Sequence, residues 1–143
     1  MLVGRSATYP GVLPAGDPRC ERPLDALANF AVMATFTTPG TPGPVRLEVA
    51  RSAQARRRGL LGRDGTEGAL LLSPASAVHT LGMRFAIDVA YLDRTLRVIA
   101  VRTMRPGRIG LPRLRARHVL EAEAGAMERW GVRRGVRIVV RDS

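Results

Sequence analysis

Of the residues in this chain that could do chemistry, the most informative lie between residues 78 and 93, where a polar loop runs into an apolar strand. The loop contains His79 and Arg84, and Asp88 follows where the strand begins. An imidazole and a carboxylate so placed could transfer protons together. Asp88 has apolar neighbours on both faces of the strand, so it must find hydrogen-bond donors. We expect it either to anchor the loop, through backbone N–H groups or Arg84, or to act as a general base or ligand-binding carboxylate.

A second carboxylate, Glu121, lies in the predicted strand 118–124. Alternate residues of a strand share a face, so Glu121 should share its face with Val119 and Glu123. We interpret that face as charged and solvated. Alternatively, Glu121 forms a carboxylate pair with Asp88 across the sheet, which would raise one of the two pKa values. The candidate catalytic residues are therefore His79, Asp88 and Glu121.

Binding motifs for cofactors are missing from the sequence. Glycines recur at positions 59, 62, 65 and 68, but no Gly-Lys-Ser/Thr follows, so they predict a helix end and a turn rather than a phosphate loop. Two histidines and one cysteine without short spacing cannot readily supply three non-carboxylate metal ligands. We predict no metal and no cofactor, and His79 with Asp88 and Glu121 is the alternative metal-ligand set that the sequence leaves open. The candidate ligand-binding residues are Arg63, His79, Arg84 and Asp88.

The net charge of +11 raises the possibility of a nucleic-acid partner. All 23 basic residues are arginine, which indicates a codon bias that fills generic surface positions with arginine. Residues 56–58 are consecutive arginines that would fan around a helix, whereas Arg113, Arg115 and Arg117 alternate and could form one cationic stripe. Stacking aromatics are scarce, so we predict an unknown small molecule or protein as the partner, rather than nucleic acid.

Cysteine content and hydropathy bear on the cellular compartment. The only cysteine is Cys20, so no disulfide can form within the chain. No apolar run approaches the roughly 20 residues that a membrane-spanning helix needs. The best candidate, residues 24–36, is interrupted by Asp25 and Asn29, and the N-terminus has no signal-peptide pattern. We predict a cytoplasmic protein without a membrane span; the oligomeric state stays open.

The first 44 residues differ in composition from the rest of the chain. They contain seven of the ten prolines, and their three arginines balance three acids. Proline removes a backbone donor, so this region is predicted to be a poorly ordered tail and linker, except that residues 24–36 could form a short helix or strand. The folded domain is predicted to span residues 45–143.

Within that domain, alternating and continuous apolar runs predict short strands. Ser52 is the predicted N-cap of a short helix that ends at Gly62, and a second helical turn precedes Gly131. The predicted strands cover residues 45–50, 68–73, 87–92, 96–102, 118–124 and 136–141. The fold class is mainly β, a small β-sandwich or barrel-like domain with one or two short helices.

Four blocks of this sequence resemble the DUF192 family of uncharacterised bacterial and archaeal proteins. They are the helix end 58–63, the strand 68–72, the loop and strand 78–93, and the segment 118–125 followed by 131–135. Many members have an aromatic-Trp-Met run where this chain has Val-His-Thr at 78–80, and often a proline where it has Ala86. The version found here resembles an actinobacterial branch. The resemblance implies a mainly-β sandwich and no established activity.

The leading functional interpretation is a small ligand-binding or accessory module. One alternative is an enzyme that uses His79 and Asp88 in a pocket between loop and strand, with Glu121 as a further candidate. Another is a weak binder of anionic partners or nucleic acid through the arginine-rich surface. The ligand-binding module requires a concave apolar site, the enzyme requires converging titratable groups, and the binder of anionic partners requires one contiguous positive face.

Overall fold

Seven strands and two short helices make up residues 32–142, the part of the chain that this computed structural model describes. The strands are β1 (Val32–Thr37), β2 (Val45–Ala50), β3 (Ala69–Leu72), β4 (Ile87–Leu92), β5 (Val98–Met104), β6 (His118–Glu123) and β7 (Val139–Asp142). The helices are α1 (Ala53–Arg58) and α2 (Ala126–Arg129). The prediction of a mainly-β fold with one or two short helices is therefore confirmed.

All seven strands belong to one sheet in the order β5-β4-β6-β3-β2-β1-β7. Neighbouring strands are antiparallel except for β2 and β3, which are parallel. The two edge strands approach each other at one end of the sheet. There the backbone N–H of Val98, in β5, donates to the carbonyl of Val136, which precedes β7, at 2.8 Å. The sheet curls but does not close into a barrel.

Side chains from both faces of the sheet are buried, which gives two apolar clusters. The first, here called the inner core, contains Phe36, Leu47 and Trp130 and is covered by α2. The second, the outer core, contains Leu60 and Tyr91 and is covered by α1 and the loops after β3 and β5. Parallel strands need a crossover connection, so the chain between β2 and β3 has to traverse one face and leaves α1 over the outer core.

Strand β1 lies within the first 44 residues, and most of it falls in the run 24–36, which was predicted as a possible short helix or strand. Phe36 is fully buried, and its ring meets that of Trp130 edge to face at a centroid distance of 5.6 Å. The Pro/Gly-rich run 38–44 is the connection of a β1–β2 hairpin rather than a linker. The sheet thus extends N-terminally of the predicted start at Val45. The prediction for residues 1–31 lies outside the described residues.

Several predicted boundaries shift for local reasons. Helix α1 has the predicted N-cap, with the Ala55 N–H donating to Ser52 Oγ at 3.1 Å, but it ends at Gly59 rather than Gly62. The turn after β4 is longer than predicted, because Asp93 Oδ1 accepts the Thr95 and Arg97 N–H groups and Leu96 adopts a positive φ of 65°. Strand β5 therefore begins at Val98.

We expect Phe36→Ala to lower the free energy of unfolding by about 3–5 kcal/mol, because it opens a cavity against Trp130 in the inner core. Urea denaturation measures the loss. Thr35→Ala, on the opposite face of the same strand, is the control and should change stability far less. Equal effects of the two substitutions would mean that β1 is not an integral part of the sheet.

Candidate functional site

A surface cavity of about 540 Å³ lies over the outer core. Helix α1 and the turn after it form one wall, the segment 74–83 forms the other, and Ile87 and Glu121 reach it from the sheet below. Its apolar lining includes Leu60, Val78 and Met83. The size and the mixture of apolar walls with a few polar groups are typical of small-molecule sites.

Glu121 provides the cavity's buried polar group. In the sheet register it lies between Leu70 of β3 and Val89 of β4, and it is only 4% exposed. Among residues 32–142 no hydrogen bond to its carboxyl group is found. Burial raises the pKa of Glu121 to about 7, although the positive charge of Arg63 acts in the opposite direction. The prediction of a solvated face for Glu121 was wrong, because α1 and the loop 74–83 cover it.

The close approach of α1 to Glu121 depends on Gly59. This residue caps the helix with a φ of 48°, a conformation that favours glycine. A Cβ atom at position 59 would lie 3.3 Å from Glu121 Oε2, closer than ordinary van der Waals contact. The backbone at the end of α1 thus closes over the carboxyl group. The glycine repeat was predicted to mark a helix end, but its relation to Glu121 depends on tertiary contact and could not be read from the sequence.

Three consecutive arginines, at positions 56–58, give the cavity a cationic wall. Arg56 donates from Nη1 to the Pro74 carbonyl at 2.9 Å, which ties α1 to the opposite wall. The Nε atom of Arg56 is buried and has no hydrogen-bond partner. A buried donor without a partner is uncommon, and here it belongs to a residue that lines a cavity.

His79 lines the same cavity as Glu121. Its side chain is exposed, and its backbone is held by an antiparallel bridge to Ile109. Two of the three candidate catalytic residues therefore share one cavity, although they come from segments 42 positions apart in the sequence.

Asp88 lies on the other side of the sheet. The register pairs Asp88 with Ala122 and Val89 with Glu121, so the two carboxylates point to opposite faces and do not form the suggested pair. Asp88 accepts hydrogen bonds from Thr103 Oγ1 at 2.7 Å, from the N–H of Gly125 at 2.9 Å and from the N–H of Met127 at 3.2 Å. It anchors the start of α2, not the loop 79–84 as predicted.

Arg63 and Arg84, the remaining predicted ligand-binding residues, make ion pairs outside the cavity lining. Arg63 is bidentate to Glu48, with N–O distances of 3.0 and 2.7 Å, and this hydrogen bonding raises the pKa of Arg63. Arg84 pairs with Asp64 at 3.0 Å on the exposed surface, not with Asp88. Neither guanidinium reaches the cavity in this structure.

His118 has a structural environment. Its Nδ1 lies 2.8 Å from Ser73 Oγ, and burial lowers its pKa. Within residues 32–142 no three His, Cys, Asp or Glu side chains come together as potential metal ligands, and no helix of this part is long and apolar enough to cross a membrane.

Comparison with known proteins settles the family. The family model of DUF192, described as Uncharacterized ACR, COG1430, matches residues 34–140. The chain belongs to the DUF192 family. The match includes most of β1, in agreement with its place in the sheet, and it contains every residue of the cavity.

Two relatives carry the name UPF0127. UPF0127 protein PH1112 of Pyrococcus horikoshii is 40% identical over 53 residues, which are 37% of this chain and 46% of that protein. UPF0127 protein PF1050 of Pyrococcus furiosus is 33% identical over 63 residues, or 44% and 54% of the two chains. The chain thus spans about half the length of the curated relatives that it matches.

Two solved structures share the fold. A protein of unknown function from Novosphingobium aromaticivorans has a TM-score of 0.65 and 18% identity, covering 95% of this chain and 99% of that one. A proposed transcription regulator from Sinorhizobium meliloti has a TM-score of 0.57 and 17% identity, covering 77% and 93%. At this level of identity the similarity shows the fold alone.

Replacing Asp88 should destabilise the protein through α2. Asp88→Ala leaves the N–H groups of Gly125 and Met127 without their acceptor, and we expect a loss of about 2–4 kcal/mol in urea denaturation. Asp64→Ala removes an exposed ion pair and should cost about 0.5 kcal/mol or less. An unchanged midpoint for Asp88→Ala would show that the three hydrogen bonds are not needed for folding.

The buried Glu121 should make stability depend on pH. Its pKa is raised from 4.5 to about 7 in the folded state, so its contribution is fully present below pH 4.5 and is lost as pH rises through 7. Relative to Glu121→Gln, which cannot ionise, the wild type should lose up to about 3 kcal/mol across this range.

The comparison with Glu121→Gln isolates this one group. His118 acts with the opposite sign, because its lowered pKa removes stability as pH falls, but both proteins retain it. Glu123→Gln, an exposed change on the same face of β6, is the control and should follow the wild type. A constant difference between wild type and Glu121→Gln from pH 4.5 to 8 would contradict the buried, protonated carboxyl.

Proposed function

We propose that this protein binds a small amphipathic ligand with an anionic group in the cavity between α1 and the segment 74–83. The observation that carries the proposal is Glu121, a carboxyl group that is 4% exposed, has no hydrogen-bond partner within residues 32–142 and lies on the cavity floor. Together with the buried and unpaired Arg56 Nε of the same cavity, a carboxyl group without a protein partner supports a ligand that supplies one.

The chemistry of the lining indicates the kind of ligand. Apolar residues such as Leu60, Val78 and Met83 would contact a hydrophobic body. Arg56, with its buried and unpaired Nε, would pair with a carboxylate, sulfonate or phosphate at the wall. Protonated Glu121 would donate a hydrogen bond to an acceptor on the ligand.

Protonation of Glu121 should control affinity. Below its pKa of about 7 the carboxyl group is neutral and can act as a donor. Above that value it is ionised, so it repels an anion and has lost its proton for hydrogen bonding. Binding of an anionic ligand is therefore expected to weaken as the pH rises through 7.

An enzyme is the second candidate, because His79 and Glu121 line one cavity and could act as an acid–base pair. This version replaces the His79–Asp88 pair considered from the sequence, since all of the hydrogen bonds to Asp88 lie on the opposite face. Turnover that depends on both His79 and Glu121 would favour the enzyme, whereas binding that survives His79→Ala would favour a binding protein.

A cytoplasmic location is proposed because the chain has one cysteine and cannot form an internal disulfide. Nucleic acid stays outside the proposal, because aromatic content is 4% and aromatic platforms for base stacking are few. The similarity to a proposed regulator concerns the fold alone.

The anionic dye 1-anilinonaphthalene-8-sulfonate is a suitable probe, because it joins an apolar ring system to a sulfonate. We expect saturable binding by fluorescence, severalfold tighter at one pH unit below the Glu121 pKa of about 7 than at one unit above it. Glu121→Gln should abolish that pH dependence, and Arg56→Gln should weaken binding at every pH. Glu123→Gln is the matched control.

Amide chemical shifts locate the bound probe. The proposal expects the perturbed amides to lie in residues 53–61 and 74–83, the two walls of the cavity. Perturbations confined to other exposed apolar residues, or dye binding that Glu121→Gln leaves as pH-dependent as in the wild type, would reject the cavity as the binding site.

A further inference from the structure

The loop 105–117, between β5 and β6, exposes apolar side chains that the cavity does not use. Ile109 is 74% exposed, Leu111 82% and Leu114 91%, the three most exposed large apolar side chains among the described residues. Single exposed aliphatic residues are ordinary, but three within six positions of one loop are a feature that needs a partner.

Hydrogen bonds to the segment 76–80 hold the backbone of this loop in place. The fully buried Thr80 donates from Oγ1 to the Arg105 carbonyl at 2.6 Å and accepts the Arg108 N–H at 2.9 Å. The N–H of Gly110 donates to the Val78 carbonyl at 2.8 Å, and that of Arg113 to the Ser76 carbonyl at 2.9 Å. A fixed backbone thus presents the aliphatic side chains to solvent.

The charge of the loop is of one sign. Its 13 residues contain five arginines and no acid, and the basic residues are Arg105, Arg108, Arg113, Arg115 and Arg117. The guanidinium of Arg113 stacks on the Tyr91 ring at 4.9 Å, which fixes it at the base of the loop. Exposed aliphatic side chains among arginines match the acyl-chain region and the phosphate headgroups of an anionic membrane surface.

A cationic groove adjoins the loop through Arg113. This groove of about 420 Å³ is lined by Arg102, Arg113, Arg133 and Arg134 with Ile99 and Val101, and no carboxylate lines it among the described residues. Four arginines without a counter-charge complement a phosphate-bearing headgroup. The groove and the loop share Arg113 and are hereafter called the basic apolar surface.

We propose that the basic apolar surface docks on membranes that contain anionic phospholipids. Leu111 and Leu114 enter the interface between headgroups and acyl chains, and the arginines of the loop and groove contact lipid phosphates. The basic apolar surface is separate from the ligand cavity, since none of the groove residues and none of the three aliphatic residues lines that cavity.

Flotation of the full chain with vesicles tests the proposal. We expect partitioning onto vesicles of phosphatidylcholine with phosphatidylglycerol, and far less onto phosphatidylcholine alone. The double variant Leu111→Ser/Leu114→Ser keeps every charge and should partition roughly tenfold or more weakly. Arg133→Gln/Arg134→Gln should lose about fivefold per arginine. Val139→Ser and Arg141→Gln, on the exposed strand β7, are the matched controls.

A gain of signal guards against a loss caused by misfolding. Leu114→Trp should shift its emission to the blue on anionic vesicles, whereas Val139→Trp should not. The native Trp130 is buried in the inner core and should not respond to vesicles. Free glycerol phosphate should not reproduce the shift, because the proposal requires the acyl interface as well as the headgroup.

Four results would overturn the proposal. Equal partitioning of the wild type and the double leucine variant would mean that the +11 charge adsorbs without a specific surface. No partitioning onto anionic vesicles would exclude the membrane as partner. Dimers that dissociate on the leucine substitutions would identify a self-association surface, and binding of polyglutamate in preference to vesicles would identify an acidic protein partner.

Discussion

Burial of both faces of one sheet is the constraint on which the rest of this structure depends. Neither face of the sheet can be exposed to solvent, because nearly every position of β3 and β4 is apolar and buried. Each face therefore needs its own cover, α2 on the inner core and α1 with two loops on the outer core. The cavity arises because the outer cover consists of separate segments that do not fill the space between them.

The same alternation gives two neighbouring carboxylates different chemistry. Asp88 and Glu121 lie one register step apart on β4 and β6, and each is 4% exposed. On the inner face α2 begins beside Asp88 and offers it backbone donors. On the outer face, Gly59 at the end of α1 lies over Glu121 and offers no donor within hydrogen-bonding distance. Desolvation therefore has the largest effect on the pKa of Glu121 and raises it. The environment, not the residue type, makes one an anchor and the other a titratable group.

Most of the fold was predictable from local pattern, and the site was predictable only in part. Alternating and continuous apolar runs located β2, β3, β4 and β6, because strand periodicity is a local property. The region of β1 was left open as a helix or strand, and the prolines after it obscured its hairpin pairing with β2. Glu121 was assigned to a solvated face, because the alternation of Val119, Glu121 and Glu123 cannot reveal which elements cover a strand. The partner of Asp88 was misassigned, since its backbone donors lie 37 and 39 positions away.

Residues 76–80 belong to two surfaces at once. Residues 76–79 help to line the cavity, and the backbone of residues 76–80 carries the hydrogen bonds that hold the loop 105–117. A displacement of this segment on one side would therefore be transmitted to the other through bonds of 2.7–2.9 Å. Energetic coupling of this kind is reciprocal by thermodynamic necessity, so whatever factor an occupied cavity imposes on the loop, an occupied loop must impose on the cavity.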